Sequence, residues 1–169
     1  ALTSIDLSGV TSIGQLAFYE CSALRSVTLG ESITRIERHT FYNCTNLATI
    51  NLSNITYIGE AALCGTKLSG TLTLDKVEFI GTNAFYGCAI ETINAPALIE
   101  LDKNALNSCA ALTTLNAPNL TIVGEQAFYK SNAFNTLNAP KIEKIGEYAF
   151  IDTAIEEFEI SESLTEFAP

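Results

Sequence analysis

Methionine and tryptophan are absent from this 169-residue chain, and it holds one histidine, four prolines and nine basic residues against nineteen acidic ones. Each scarcity excludes something. Nine scattered Lys and Arg in a chain of net charge −10 cannot form the cluster that neutralises nucleic-acid phosphates, so neither nucleic acid nor an anionic membrane surface is an expected partner. No apolar run is long enough to cross a bilayer, so membrane insertion is not expected. The first residues, Ala1-Leu2-Thr3-Ser4, carry neither a basic segment nor an apolar one, so any export signal or anchor is expected outside the sequence. A single His39 cannot supply a histidine metal set. No Gly-x-Ser-x-Gly, His-Glu-x-x-His or phosphate-cradling loop is present.

What the chain has is a repeat. An aromatic or leucine recurs at Phe18, Phe41, Leu63, Phe85, Leu106, Phe128 and Phe150, with spacings of 23, 22, 22, 21, 22 and 22. A small residue precedes each: Ala17, Thr40, Ala62, Ala84, Ala105, Ala127 and Ala149. Glycine stands three residues before that small residue at Gly14, Gly59, Gly81, Gly124 and Gly146, with Glu37 and Asp102 in the remaining copies. The simplest role for such a glycine is a backbone angle that other residues resist.

Between the aromatics runs an apolar-x-apolar pair, from Ile5/Leu7 through Val27/Leu29 and Leu115/Ala117 to Phe158/Ile160. Alternation of period two predicts a short strand. A second apolar pair, three apart, follows in each copy (Ile33/Ile36, Ile55/Ile58, Val77/Ile80) and predicts a second extended segment. The Ala-Phe stretch is expected to form a short helical or 3₁₀ turn. Each unit is then one coil that cannot bury its apolar face alone, so coils must stack. The expected fold is a β-dominated α/β repeat solenoid, a right-handed superhelix of about seven coils. Each coil is expected to add one strand to a single parallel sheet, and residues 1–169 are expected to form one domain of a longer protein.

The run Ile-x-x-Ile-Gly-x-x-Ala-Phe-x-x-Cys-x-x-Leu-x-x-Ile-x-Leu, cleanest from Val10 to Leu29 and from Val77 to Ala95, resembles the BspA-like class of leucine-rich repeats. The resemblance spans nearly the whole chain. It implies an extracellular or cell-surface protein, often bacterial, that adheres to host extracellular matrix or to other cells. It implies no enzyme activity and no cofactor.

Cys21, Cys44, Cys88 and Cys109 each lie three residues after the repeat aromatic, where other copies have Thr66, Ser131 and Thr153. Interchange with Ser and Thr predicts tight inward positions bearing free thiols. A ladder pointing one way offers no tetrahedral zinc site, and five cysteines with Cys64 out of register make a disulfide the lesser reading. His39 is expected at the surface. Tyr19, Tyr42, Tyr86 and Tyr129, next to the aromatic, form a ladder interrupted by Cys64, Asn107 and Ile151. Half-buried rings with wet hydroxyls are the expectation there, and a carbohydrate-stacking stripe is the functional alternative.

Residues between buried strand positions point outward. Through the middle of the chain these are Thr49, Asn51, Thr71, Thr73, Thr92, Asn94, Thr114, Asn116, Thr136 and Asn138, followed by Glu157 and Glu159. This uncharged Thr/Asn field is the candidate binding face for a protein or glycan. Thr suits strands and Asn can form hydrogen-bonded ladders, so a purely structural role competes with that reading. A passive spacer in a larger surface protein is therefore the alternative function. Both ends of the array look uncapped, which makes end-to-end self-association a further expectation.

Overall fold

The computed structural model describes residues 1–159 and 162–168. The chain winds as a parallel β-solenoid, with two strand columns joined by turns. The first column holds β1 (Ser4–Leu7), β2 (Ser26–Leu29), β4 (Thr49–Ile50), β6 (Ser69–Thr73), β8 (Ala89–Asn94), β10 (Thr114–Asn116) and β12 (Thr136–Asn138). The second column holds β3 (Arg35–Ile36), β5 (Tyr57–Ile58), β7 (Phe79–Ile80), β9 (Glu100–Leu101), β11 (Ile122–Val123), β13 (Lys144–Ile145) and β14 (Glu166–Phe167).

The two columns differ in continuity. The second is one unbroken seven-stranded sheet, whereas the first divides into β1-β2-β4 and β6-β8-β10-β12. The single sheet expected on that side is therefore two blocks. The division falls where Gly70 adopts the left-handed conformation (φ +70°) and β6 meets β8 through a register shift. Across it, the Lys67 amide still donates to the Leu47 carbonyl at 2.9 Å. At the C-terminal side, Glu157 to Glu159 form no strand, and Ile160 lies outside the described residues.

The Ala-Phe segments are turns, and no helix occurs among the described residues. A helix would spend its N–H groups within one coil. Here every second N–H leaves the coil: Leu16, Phe18 and Glu20 donate to the carbonyls of Arg38, Thr40 and Tyr42 at 3.1, 2.9 and 2.8 Å. Intervening amides close local turns, as Tyr19 does to Leu16 and Cys21 to Phe18. The alternation is achieved by two left-handed residues per coil, four apart: Leu16/Glu20, His39/Asn43, Ala61/Gly65, Asn83/Gly87, Asn104/Ser108, Gln126/Lys130 and Tyr148/Asp152. Most are not glycine, so each costs about 1–2 kcal/mol of backbone strain, which the inter-coil hydrogen bonds offset.

The repeat glycines do something other than expected. None of Gly14, Gly59, Gly81, Gly124 and Gly146 has positive φ. A Cβ on Gly59, Gly81, Gly124 or Gly146 would instead lie 2.5–3.1 Å from backbone atoms of the preceding coil. Their function is close coil-to-coil approach. Gly14, in the first coil, would meet nothing within 4 Å.

The core is one continuous column of stacked equivalents. Phe41, Phe85 and Phe128 are fully buried, and the Phe18–Phe41 and Phe128–Phe150 rings stack at 5.2 and 5.4 Å. In the later coils β8, β10 and β12 end on Asn94, Asn116 and Asn138, just before Ala-Pro. Pro96 and Pro118 then occupy the second position of turns closed by Leu98 and Leu120 donating to Ala95 and Ala117, where a fixed φ suits the bend.

Candidate functional site

The first column's second block carries most of the candidate face. Register places Thr71, Thr92, Thr114 and Thr136 in one row, and Thr73, Asn94, Asn116 and Asn138 in the next. The strands form because Leu72, Ile93, Leu115 and Leu137 turn inward between these outward residues, the last three being buried and Leu72 partly so. Inward Leu and outward Thr or Asn are thus a consequence of one period-two alternation.

The asparagines are fixed by each other. Asn116 Nδ2 donates to Asn94 Oδ1 at 2.7 Å, and Asn138 Nδ2 donates to Asn116 Oδ1. Two rungs of the amide ladder therefore point the same way along the solenoid. Asn94, Asn116 and the threonines of β8, β10 and β12 are half-buried, while Thr71, Thr73 and Asn138 are exposed.

Thr49 and Asn51 lie outside this block of strands. Thr49 belongs to β4 in the other block, and Asn51 lies beyond the end of that strand. Asn51 instead clamps one backbone residue of the previous coil: its Oδ1 accepts from the Leu29 amide at 2.6 Å and its Nδ2 donates to the Leu29 carbonyl at 3.1 Å.

A groove of about 530 Å³ closes the C-terminal side of the face, lined by Asn135, Thr136, Leu137, Asn138, Glu157, Phe158 and Glu159. Sequence pattern marked Glu157 and Glu159 as outward strand residues. Because no strand forms there, the side chains border a concavity with two carboxylates at the end of a neutral face. The sequence carries no signal for it, because the apolar spacing continues at 22 residues from Ile142 and Ile145 to Leu164 and Phe167.

The cysteines are structural. All five are free, Cys21 half-buried and the others buried. Cys44, Cys88 and Cys109 donate from Sγ to the carbonyls of Phe18, Leu63 and Phe85 in the preceding coil at 3.1, 3.3 and 3.1 Å. Ser131 Oγ does the same to Leu106 at 2.7 Å, which explains why Cys and Ser interchange at this position. Thr66 and Thr153 bond their own coil's carbonyls, Leu63 and Phe150. Burial pushes the thiols of Cys44 and Cys88 up to about 11 and that of Cys109 higher still, so none is a thiolate nucleophile near neutral pH.

His39 departs from expectation. It is half-buried, left-handed in backbone, and packed edge-on to Tyr42 at 5.3 Å and Tyr19 at 6.2 Å. Among the described residues its Nδ1 is enclosed without a hydrogen-bond partner, and no hydrogen bond joins it to a Ser or Cys that could act as a nucleophile. Tyr19 and Tyr42 stack face to face at 5.0 Å, so this part of the tyrosine ladder packs on itself.

An outward stack on the second sheet was not foreseen. Arg35 lies over the Tyr57 ring at 3.7 Å, and Tyr57 stacks on Phe79 at 5.1 Å. Only the observed register, Arg35 beside Tyr57 and Tyr57 beside Phe79, makes them neighbours.

Comparison with known proteins agrees with this architecture. A leucine-rich repeat protein from Bacteroides ovatus has the same fold, with a TM-score of 0.86 and 27% sequence identity over 96% of this chain and 44% of that one. The present chain thus spans less than half of that protein. A leucine-rich repeat protein from T. pallidum is similar over 74% of each chain, with 21% identity and a TM-score of 0.52. A leucine rich cell surface protein from Faecalibacterium prausnitzii shares 21% identity over 99% of this chain and 69% of that one, with a TM-score of 0.47. No curated protein matches the chain in sequence. The model of the BspA type leucine rich repeat region matches six copies over residues 1–113 and 99–169. With its registered coils, inward Cys/Ser ladder and stacked aromatic core, the chain belongs to the BspA-type leucine-rich repeat family.

Proposed function

We propose that this chain is a non-enzymatic recognition module, displayed outside the cell or at its surface, that binds a protein or glycan through the face running from Thr71 to Asn138. The observation that carries the reading is the ordered, uncharged array on β6, β8, β10 and β12. Its asparagines are already held by their neighbours. A partner meeting them loses little side-chain entropy on binding, and pre-organisation of this kind is a main source of affinity in polar interfaces. Extended faces of stacked repeats are the usual binding surfaces of solenoids. Membership of the family supports the surface location, which immunolocalisation on intact cells tests.

The same ladder supports a second reading. Amides that satisfy each other suit a passive spacer, whose outer face need only be soluble and stiff. The two are separated with the purified chain on immobilised extracellular-matrix proteins and a glycan array. Replacing Asn94, Asn116 and Asn138 together by Lys should lower binding at least tenfold, about 1.4 kcal/mol, with a folded circular-dichroism spectrum retained. Undiminished binding by that variant refutes the face as the site, and absence of binding by the unaltered chain favours the spacer.

A further inference from the structure

The tyrosine column on the turn side contains a missing rung. Tyr42 and Tyr86 occupy the same register two coils apart, and the coil between them carries Cys64 there. At a coil repeat of about 4.8 Å, two steps separate their backbones by about 10 Å. The gap is a real concavity of about 310 Å³, lined by Tyr42, Cys64 and Tyr86 with His39, Glu60, Ala61 and Asn83 around them. Cys64 is 9% exposed and forms its floor.

We propose that this slot binds a single neutral pyranose unit of a glycan, held between the faces of Tyr42 and Tyr86. The site is separate from the sheet face and does not depend on it. Three observations point to that ligand. The first is width. Tyr19 and Tyr42 stack at 5.0 Å across one coil step, so the two-step gap between Tyr42 and Tyr86 has room for one further six-membered ring. A puckered pyranose with hydrogens on both faces is thicker than an arene and would make carbon contacts of about 3.5–4.0 Å with both walls. The second is the rim. Glu60 offers a carboxylate, and the Asn83 amide makes no side-chain hydrogen bond among the described residues. Together they supply the acceptors and donors that sugar hydroxyls need. The third is charge. Arg38 Nε donates to Glu60 Oε2 at 3.1 Å, so the rim's one carboxylate is already balanced and no free cation lines the slot. A neutral sugar fits this better than an acidic sugar or a quaternary amine.

The other interruption nearby shows what a filled gap looks like. Between Tyr86 and Tyr129 stands Asn107, 7% exposed, which donates to Asn104 Oδ1 at 2.8 Å and accepts from Ser108 Oγ at 2.7 Å. That rung is knitted into its own turn. Cys64 has no such side chain to occupy the space.

The test uses the whole chain with glucose, galactose, mannose and N-acetylglucosamine, read by saturation-transfer NMR and by quenching of tyrosine fluorescence. At least one should bind with a dissociation constant near millimolar, as expected for a single exposed monosaccharide contact. Cys64→Tyr completes the column with the residue found in neighbouring coils and should abolish binding. Tyr86→Ala removes one wall and should weaken it at least fivefold. Cys64→Ser keeps the slot open and should bind as the parent does, which guards against a folding defect in the tyrosine variant. The Asn94/Asn116/Asn138 Lys variant should bind monosaccharide normally. Failure of all four sugars, equal binding by Cys64→Tyr, loss only in the sheet-face variant, or tighter binding of p-cresol than of any sugar would each overturn the proposal.

Discussion

The same repeat motif occurs in the outer and the inner coils, with different physical consequences. Phe85 and Phe128 are fully buried, whereas Phe18 and Phe150 are only partly so. Cys109 is buried and Cys21 is half-buried. A Cβ on Gly124 would strike backbone at 2.6 Å, while one on Gly14 would meet open space. The residues are alike, and what differs is whether a coil lies on the relevant side. In a solenoid each unit contacts only its neighbours, so stability is close to a sum over coils and interfaces. A motif residue therefore has no fixed energetic worth. It acquires one from the coil against which it packs.

The comparison can be broken most directly at the aromatic. Phe85→Ala should destabilise the chain by about 3–5 kcal/mol, as for a fully enclosed phenylalanine. Phe18→Ala should cost less than half as much, and urea denaturation of both variants measures the difference. Equal losses would mean that the outer coil contributes as the inner ones do. The next largest contrast is at glycine. Gly124→Ala forces backbones apart and should cost about 1–3 kcal/mol, while Gly14→Ala should stay within about 0.5 kcal/mol of the parent.

The interior thiols sharpen the same contrast through pH. In the fold Cys44 and Cys88 keep their protons up to about 11, whereas in the unfolded chain they ionise near their ordinary value of 9. Between these limits the unfolded chain binds fewer protons than the folded one, so stability falls as pH rises from 9 to 11. The expected contribution from Cys88 is about 1–2 kcal/mol across that window. Cys88→Ser should flatten the slope in melts recorded at pH 8, 9, 10 and 11.

Much of the fold was legible from spacing alone. The register of Phe18 to Phe150, the two apolar pairs per coil and the inward Cys/Ser position all follow from side-chain periodicity, and periodicity is a property of the chain. The glycines were legible as special but for the wrong reason. Conformational freedom and close approach both select glycine, and only the distance from Gly124 to the backbone of Asp102 and Lys103 separates them. The turns were misread as helical because Ala-Phe-Tyr has no signal for left-handed backbone. Leu16, Ala61 and Tyr148 adopt it under the demand of inter-coil hydrogen bonds, against their own preference.

The candidate face was legible in part. Eight of its ten residues share one sheet, because outward Thr and Asn follow from the alternation that turns Ile93 and Leu115 inward. Thr49 and Asn51 lie outside that sheet, since a break between neighbouring strands is a matter of backbone path that equal spacing does not disclose. The slot at Cys64 was legible only as an interruption.

The sequence by itself determined the coil: its length, its two strands, its buried ladder and its family. Those follow from which side chains leave water, and that choice is local and repeated. Tertiary structure alone decided where the first sheet divides, which residues accept left-handed strain, and whether an interrupted rung is open at Cys64 or closed at Asn107. Those outcomes depend on contacts between residues about twenty-two positions apart, and no single coil contains them.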